Sequence, residues 1–365
     1  MGFLDLFVPK AELTVEAADL APVNVALGGN WVAGIQTATR AEAIGVPTIA
    51  RARQIICSTL SGLPFETINE GSNEVIPSPR VLNQPDPRIP GSVFWAWIYE
   101  DLLFSGAGYA RVLDRYSDTG RIRAMERIEP YRVSTRTNAI GTEIVGYYVD
   151  GTPIDPSQLV VIPGLDEGIL NRAGRTIRAA HALEKAAYNF AMNPIPQTVI
   201  KPRGVTLTAD KIRALAATWK KARQENSTAI INQDVDVSTL GYDPKALQMN
   251  EARMYVSLEL CRAINIPAWF ASSEPNSFTY SNSVSQRRDL VDLSLRPLII
   301  AVEQRLSMAD FTPMGSRVRI DLDDFLRGNP LERAQVYQIL HGIQDASGTP
   351  VMSIDEIRKD EDLIK

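Results

Sequence analysis

The stretch from Tyr280 to Leu306 constrains the fold more than any other part of the chain. Its apolar residues recur at the three- and four-residue spacings of a helix packed on one side. They are Val291, Leu295, Leu298, Val302 and Leu306. The pattern predicts one long helix over 283–309, roughly 40 Å in length. Pro297 lies inside it, and because proline lacks an N–H and clashes with the carbonyl four residues earlier, we expect a bend between Leu293 and Pro297.

A polar loop at 271–282 precedes this helix and carries the aromatic residues Phe278 and Tyr280. Before the loop, another apolar helix ends at Ile266-Pro267. A helix, a polar loop with two aromatic side chains and a bent helix together indicate a mechanical element. The segment shows neither a nucleophile–base pattern nor a metal-ligand pattern.

Composition limits the possible functions. A chain of 365 residues predicts two or three packed units. Its net charge of −5 argues against a generic basic nucleic-acid clamp, yet is compatible with a protein past which DNA slides. The two histidines have no companion ligand at metal spacing, and Cys57 and Cys261 fit buried free thiols. The sequence predicts neither a membrane span nor a signal peptide.

The rest of the chain alternates apolar helical patterns with short strands, which predicts an α+β fold. Helices are expected at 45–63, 93–104, 174–192, 208–224, 251–264, 331–343 and 353–363. Strands are expected at 65–68, 109–115, 121–128, 131–136, 144–149, 159–162, 198–201 and 317–325, with one or two more in 227–243. Ser92 and Thr208 are predicted helix caps. The aromatic stripe of the 93–104 helix predicts core, and Gly106-Ala107-Gly108 predicts a turn rather than a dinucleotide site.

Two charged groups allow a functional interpretation. Lys220, Lys221 and Arg223 end a predicted helix, where cations complement the helix C-terminus or, alternatively, contact DNA or an acidic partner. Asp321, Asp323 and Asp324 could hold a metal ion. They lack the fixed spacing of an EF-hand loop and a companion glutamate, which argues against a metal site.

Several phrases, in this order, resemble those of the HK97-type portal proteins of tailed bacteriophages. They are Leu60–Phe65, Leu82–Pro87, Gly106–Ala110, Tyr131–Val133, Ile264–Pro267, Thr279–Asn282 with Gln286, Leu295–Pro297, Val302–Leu306, Arg333–Ile343 and Ile354–Arg358. The resemblance covers about 44–363. There are departures, because Asp86 replaces an asparagine and Pro163 replaces a histidine of the family pattern.

The resemblance implies a portal fold with an α/β wing, a helical stem, a small clip with strands, a tunnel loop with a long kinked helix, and a short helical crown. Its implied boundaries are an N-terminal arm at 1–43, the wing at 44–207, stem helices at 208–264 with a clip near 225–245, the tunnel loop at 265–283, the kinked helix at 284–309, a wing strand at 310–328 and the crown at 329–365.

The resemblance also implies a function. The chain would form a ring of twelve subunits at one capsid vertex, through which double-stranded DNA is packaged and ejected. Its partners would be the terminase large subunit, the major capsid protein and scaffold, and the head–tail connector. The family has no catalytic residues and no cofactor. The protein would belong to the virion, be assembled in the host bacterial cytoplasm and bind no membrane.

The implied sites are a channel loop, a helix kink at Pro297, and a DNA or motor contact at the cations ending the 208–224 helix. The channel loop residues are Ser272, Ser273, Asn276, Ser277, Phe278, Tyr280 and Asn282. Two alternatives remain open. One is a metal-dependent phosphoesterase that uses Asp321, Asp323 and Asp324, and the other is an adaptor protein of the same particle.

Overall fold

The computed structural model describes residues 38–138, 144–192, 197–202, 208–224, 235–240, 248–271, 283–326, 330–344 and 350–361. The chain divides into two compact units. The larger unit comprises residues 1–178 and 257–365, and the smaller unit comprises residues 179–256. The boundaries fall inside two helices, Gly174–Met192 and Met249–Ile264.

The described helices, in chain order, are α1 (Arg40–Ile44), α2 (Pro47–Ser61), α3 (Arg80–Asn83), α4 (Gly91–Ser105), α5 (Ile169–Arg172), α6 (Gly174–Met192), α7 (Ala209–Gln224), α8 (Met249–Ile264), α9 (Ala268–Ala271), α10 (Ser283–Leu290), α11 (Arg296–Leu306), α12 (Asp323–Leu326), α13 (Pro330–Gly342) and α14 (Ile354–Asp360). A π-helical turn, Val291–Leu295, joins α10 to α11. Short 3-10 turns lie at Pro130–Arg132 and Pro156–Gln158.

The strands are β1 (Phe65–Asn69), β2 (Val75–Ile76), β3 (Ala107–Arg115), β4 (Ile122–Ile128), β5 (Val133–Thr137), β6 (Ile144–Val149), β7 (Thr152–Ile154), β8 (Leu159–Pro163), β9 (Gln197–Pro202), β10 (Val235–Leu240) and β11 (Ser316–Ile320). In the larger unit they form three antiparallel sheets, ordered β11-β1-β2, β4-β3-β8 and β5-β6-β7. This mixture of helices and small sheets confirms the predicted α+β fold.

The core of the larger unit is built on α4, which packs against α2. The predicted aromatic stripe is buried, because Phe94, Trp95 and Tyr99 are almost inaccessible to solvent. The indole N–H of Trp95 donates to the carbonyl of Leu82 at 2.7 Å, so its polar atom is satisfied inside the core. The helix ends at Gly106, whose φ of 73° is left-handed, as a glycine C-cap requires.

The start of α4 differs from the sequence prediction. Ser92 was expected to cap the helix, but the helix begins at Gly91, after Pro90. The carbonyl of Pro90 accepts the N–H groups of Val93 and Phe94 at 3.1 and 3.2 Å. A Cβ at Gly91 would lie 1.8 Å from the carbonyl oxygen of Asn83, so only glycine fits this close approach.

Two strands far apart in the sequence pair with each other in one sheet, with β1 in its centre and β11 at its edge. β1 pairs with β11 antiparallel, with Thr67 opposite Val318. The strand predicted over 317–325 is wrong in its second half, because β11 ends at Ile320 and α12 follows. The carboxylate of Asp321 accepts the N–H of Asp323 at 2.9 Å, a local hydrogen bond that favours a helix start over a continued strand.

The smaller unit contains α7, the antiparallel pair β9–β10, the second half of α6 and the first half of α8. Arg253 and Glu184 form an ion pair at 2.8 Å within it. Ala180 alone among the described side chains of this unit is buried. Met254 and Tyr255 in the first half of α8 are exposed in the single subunit, whereas Leu260, Cys261 and Ile264 in its second half are buried.

Candidate functional site

The candidate site is the helix pair that flanks the predicted channel loop. α9 ends at Ala271 and α10 begins at Ser283. The predicted loop residues lie outside the described part of the chain: Ser272, Ser273, Asn276, Ser277, Phe278, Tyr280 and Asn282. What the structure describes is how the two ends of this loop are held.

The loop-bearing helix changes its hydrogen-bonding pattern immediately before its proline. α10 passes into the π-helical turn Val291–Leu295, and α11 then begins at Arg296 with Pro297 in its first turn. Because α10, the π turn and α11 are continuous, Pro297 removes a backbone donor that a regular α-helix would use at this point. A single π turn inside an α-helix is a common cause of a kink and is frequent at functional sites.

Asn265 compensates for the hydrogen bond that Pro297 cannot make. In a regular helix the N–H of residue 297 would donate to the carbonyl of Leu293. Here the side-chain amide of Asn265 donates to that carbonyl instead. The hydroxyl of Ser294 in turn donates to the carbonyl of Asn265 at 2.6 Å. These reciprocal contacts, which we call the asparagine clamp, join the end of α8 to the π turn.

The backbone of Asn265 is itself unusual. Its φ is 60°, in the left-handed region, which asparagine tolerates better than other non-glycine residues. This conformation reverses the chain after α8, and the N–H of Ile266 donates back to the carbonyl of Cys261 at 3.0 Å. The left-handed turn therefore ends α8 and directs the side chain of Asn265 onto the neighbouring helix.

The far end of the same helix is fixed to the edge of a sheet. The carboxylate of Glu303 accepts the N–H of Ile320 at 2.7 Å, and the hydroxyl of Ser307 accepts the N–H of Val318 at 2.8 Å. Two N–H groups on the free edge of β11 are thereby satisfied by side chains of the helix. Burial raises the pKa of Glu303 above its usual value, although the bond from Ile320 acts in the opposite direction.

Arg305 fixes α11 to a second sheet. Its Nε donates to the carbonyl of Val161 in β8 at 2.9 Å. Its guanidinium makes two hydrogen bonds with the carboxylate of Asp310, at 2.8 and 2.7 Å, and lies 5.1 Å from the centre of the Phe311 ring. A bidentate arginine–carboxylate pair fixes geometry better than a single contact does. The C-terminal half of the helix is thus a rigid support for the loop-bearing half.

Arginines also hold the chain at both ends of the undescribed loop. Arg51 in α2 donates to the carbonyl of Phe270 at 2.8 Å, next to the last residue before the loop. Beyond the loop, Arg287 in α10 donates to the carbonyl of Phe325 at 3.4 Å and lies 5.9 Å from that ring's centre. Both anchor points belong to the larger unit, so the loop begins and ends on one support.

Comparison with known proteins identifies this arrangement. The family model described as phage portal protein matches residues 47–362. The chain belongs to the phage portal protein family. Among proteins of curated function, none matches the sequence.

Solved structures show that the portal fold is shared. An HK97 family phage portal protein from Corynebacterium diphtheriae has a TM-score of 0.64 at 22% identity, covering 80% of this chain and 99% of the other. A chain from the neck of an empty gene transfer agent (GTA) particle has a TM-score of 0.59 at 17% identity, covering 88% and 92%. A chain from the neck of a native GTA particle with C12 symmetry has a TM-score of 0.57 at 16% identity, covering 90% and 95%.

The other predicted site residues are placed as follows in this portal chain. Lys220, Lys221 and Arg223 lie in the last turns of α7, and their side chains are outside the description. Within the described residues, no three His, Cys, Asp or Glu side chains come together as metal ligands. Among the described helices, none is long and apolar enough to cross a membrane.

Sequence analysis missed the role of Asn265, although it noted the phrase Ile264–Pro267. Asparagine adopts the left-handed backbone more readily than other non-glycine residues do. Its position between the apolar end of a helix and Ile266-Pro267 is the signal that could have indicated a left-handed backbone with an amide available for a contact.

Proposed function

We propose that this chain assembles into a ring of twelve at one vertex of a phage-type capsid, and that DNA is packaged and ejected through its centre. The match of the portal family model to residues 47–362 carries this proposal. The likeness to a chain from a GTA neck with C12 symmetry supports the subunit number. The wing, stem, clip, tunnel loop, kinked helix and crown take the boundaries given by the family resemblance.

Exposed apolar side chains support assembly. Tyr188 and Met192 of α6, Ile212 of α7, and Met254 and Tyr255 of α8 are all exposed in the single subunit. Each belongs to the smaller unit, of which residues 208–256 fall within the proposed stem. Because Ala180 is the one buried side chain described in this unit, these residues have little core to pack into and fit an interaction surface. A ring subunit needs such surfaces because it contacts two neighbours through different faces.

The way in which the neighbouring helices hold the loop ends supports our assignment of this loop as the narrow part of the channel. The segment between Ala271 and Ser283 is the channel loop of this proposal, and its polar side chains would touch DNA reversibly. Its two ends are held by Arg51 and Arg287, so its position follows that of the larger unit. A net charge of −5 suits a conduit, because each phosphate neutralised by the protein adds affinity and opposes sliding.

The protein would perform no chemistry of its own. ATP hydrolysis would belong to the terminase large subunit, which the ring docks on its outer face during packaging. The head–tail connector would dock later, and the major capsid protein and scaffold would surround the ring. The place of action would be the portal vertex of the virion, after assembly in the host bacterial cytoplasm.

Native mass spectrometry with negative-stain images of the purified protein tests the assembly. The expected result is a ring of about twelve subunits with a central opening. A protein that stays monomeric alone and also in the presence of its capsid protein and scaffold would contradict the proposal.

Shortening residues 273–281 tests the loop assignment. Ring formation should be unchanged, because the residues that hold the loop ends remain, whereas DNA packaging or retention should fall. A deletion of residues 345–349, between α13 and α14, is the control and should leave retention intact. Normal DNA retention in the 273–281 variant would remove the channel-loop assignment.

A further inference from the structure

A large cavity lies within the larger unit, away from the loop-bearing helix. Its volume is about 1010 Å³, the upper end of the range for binding sites in proteins. Its walls come from the start of α1, the segment before α4, the body of α4, the end of β4 with the following 3-10 turn, and α5. The proposed portal function assigns nothing to this cavity.

The charged groups of the cavity are already paired with one another. On its floor, Glu100 is bound by Arg40 and Arg53, and Asp101 makes two bonds of 2.6 Å with Arg127. Burial tends to raise the pKa of Glu100, but these two arginines hold the pKa below its usual value. The floor is therefore a set of closed ion pairs, and a charged ligand would have to break them.

The rim of the cavity is also paired. Arg88 binds Asp86 through two hydrogen bonds of 2.9 and 2.7 Å and reaches Glu126 at 2.7 Å. The hydroxyl of Tyr131 donates to Glu129 at 2.5 Å. These ionisable side chains of the rim are thus paired, and the exposed apolar part of the wall comes from the rings of Trp97 and Tyr131.

Two aromatic side chains of the cavity wall are exposed to solvent, although large apolar rings are more stable when buried. Trp97 is 38% exposed and Tyr131 is 73% exposed, whereas the neighbouring aromatic residues of α4 are buried. The guanidinium of Arg127 lies 5.7 Å from the centre of the Trp97 ring, which holds the indole in place from one side. A preformed apolar wall with closed charges fits an uncharged, apolar occupant.

The first described residues of the chain lie at this cavity. Ala38 and Thr39 line it, and the N–H of Ala38 donates to the carbonyl of Leu170 on the opposite wall at 3.1 Å. Thr39 caps α1 in a reciprocal capping box with Glu42, which fixes the direction of the backbone. The segment before Ala38 is therefore tethered at the cavity rim.

The sequence of that segment matches the cavity. From Leu20 to Thr39 the chain carries no charged residue, whereas residues 5–19 carry Asp5, Lys10, Glu12, Glu16 and Asp19. Trp31, Val32 and Ile35 are the large apolar residues nearest the rim. Trp31 precedes Ala38 by seven residues, a reach of at most about 25 Å when extended.

We propose that residues 31–35 of the chain occupy this cavity of the same subunit, with Trp31 against the wall formed by Trp97 and Tyr131. Tethering supports this choice of occupant, because a short linker gives an effective concentration in the mM range. The uncharged segment leaves every ion pair of the floor and rim intact. The N-terminal arm would thus complete the core of the larger unit.

Photo-crosslinking of the full-length protein tests the proposal. With p-benzoylphenylalanine placed at Trp31, irradiation should join residue 31 to peptides that contain Trp97 or Tyr131. Mixing isotopically labelled and unlabelled chains before irradiation distinguishes crosslinks within a chain from those between chains. The same probe placed at Leu13, in the charged half of the arm, is the control and should not reach the cavity.

Crosslinks within one chain at the named peptides support the proposal. Crosslinks between chains would assign the cavity to the arm of a neighbouring copy and overturn the proposal, as would crosslinks elsewhere or none. A second measurement without the crosslinking residue covers the case in which that residue itself disturbs the structure. Trp31→Ala should speed hydrogen exchange several-fold in peptides covering 97–105 and 129–132, and Leu13→Ala should not. Equal exchange in the two variants would overturn the proposal as well.

Discussion

The two units of the molecule differ in how much of a buried core each has within one subunit. In the larger unit, α2, α4 and α11 bury apolar side chains against each other and against the sheets. In the smaller unit, the described helices expose theirs, including Ile212, Met254 and Tyr255. The larger unit thus has a buried core within one subunit, although Met314, Leu331 and Ile339 are exposed on its surface. The described part of the smaller unit buries only Ala180 and presents apolar side chains that fit a partner.

This difference separates two kinds of stability. Burial in the larger unit stabilises the subunit itself, at about 25 cal/mol per Å² of apolar surface. Burial of the exposed side chains of the smaller unit would occur only on assembly, so their contribution depends on protein concentration. Substitutions in the two units should consequently fail in different assays.

A matched pair of substitutions gives the largest expected contrast. Leu306 is 0% exposed and Ile212 is 52% exposed. Leu306→Ala should lower the free energy of unfolding of the isolated subunit by about 2–5 kcal/mol, because it leaves a cavity between α11 and its sheets. Ile212→Ala should change it by about 0.5 kcal/mol or less. Urea unfolding at low protein concentration measures both, and equal losses would contradict the division.

In an assembly assay, substitutions in the smaller unit should have a larger effect than substitutions in the larger unit. Replacing Met254 and Tyr255 together by serine should weaken subunit association by about 10-fold or more, because both side chains lose the surface that a neighbour would bury. Their removal should leave subunit stability nearly unchanged. Native mass spectrometry over a concentration series measures the effect.

The control for this experiment is Leu113→Ser, at an exposed apolar position on the β3–β4 hairpin of the larger unit. It should assemble like the unmodified protein. If the control and the Met254/Tyr255 variant assemble equally well, the exposed face of α8 is not an interface.

The asparagine clamp allows a sharper test inside the larger unit. Asn265→Asp removes the donor and points an acceptor at the carbonyl of Leu293, so it should cost about 1–3 kcal/mol. Asn265→Gly keeps the left-handed backbone but also leaves that carbonyl without its donor, and should cost less than the aspartate. Urea unfolding of the subunit measures each loss.

A double substitution tests the physical cause of the clamp. Pro297→Ala restores an N–H that can donate to Leu293, so it should recover part of the stability lost in Asn265→Gly. We also expect Pro297→Ala by itself to straighten the helix and impair ring closure. Strictly additive losses in the double variant would show that Asn265 does not replace the bond that Pro297 lacks.

The smallest expected effect on the free energy of unfolding is that of replacing Glu303. Burial of this carboxylate decides whether the replacement stabilises or destabilises the protein. Because the folded pKa is raised, the ionised carboxylate lowers stability as pH rises through that pKa. Glu303→Gln keeps an acceptor for the N–H of Ile320 and removes the charge. It should therefore raise the free energy of unfolding by up to about 1 kcal/mol at pH 8 and have little effect at pH 4.

Urea midpoints at the two pH values measure this difference. Glu126→Gln is a control on the surface of β4, where a carboxylate is already paired with Arg88. It should not stabilise the protein at pH 8. A loss of stability at pH 8 in Glu303→Gln would mean that the ionised carboxylate is favourable where it lies.

The sequence by itself determined the local elements and the family. Apolar spacing located α2, α4 and the helix through 283–306, turn residues located the β3–β4 hairpin at Gly120, and the ordered phrases indicated a portal protein, which the family model confirms. These features depend on residues close together in the chain, where periodicity and backbone preference act directly.

Only the tertiary structure decided the contacts between distant residues. Local pattern did not indicate that Asn265 would satisfy the carbonyl of Leu293, that β1 would pair with β11, or that Trp97 would line a cavity while its neighbours were buried. The same patterns predicted a strand where Asp323 begins a helix. A hydrogen bond or an exposed face depends on which elements meet in space, and that information is absent from local spacing.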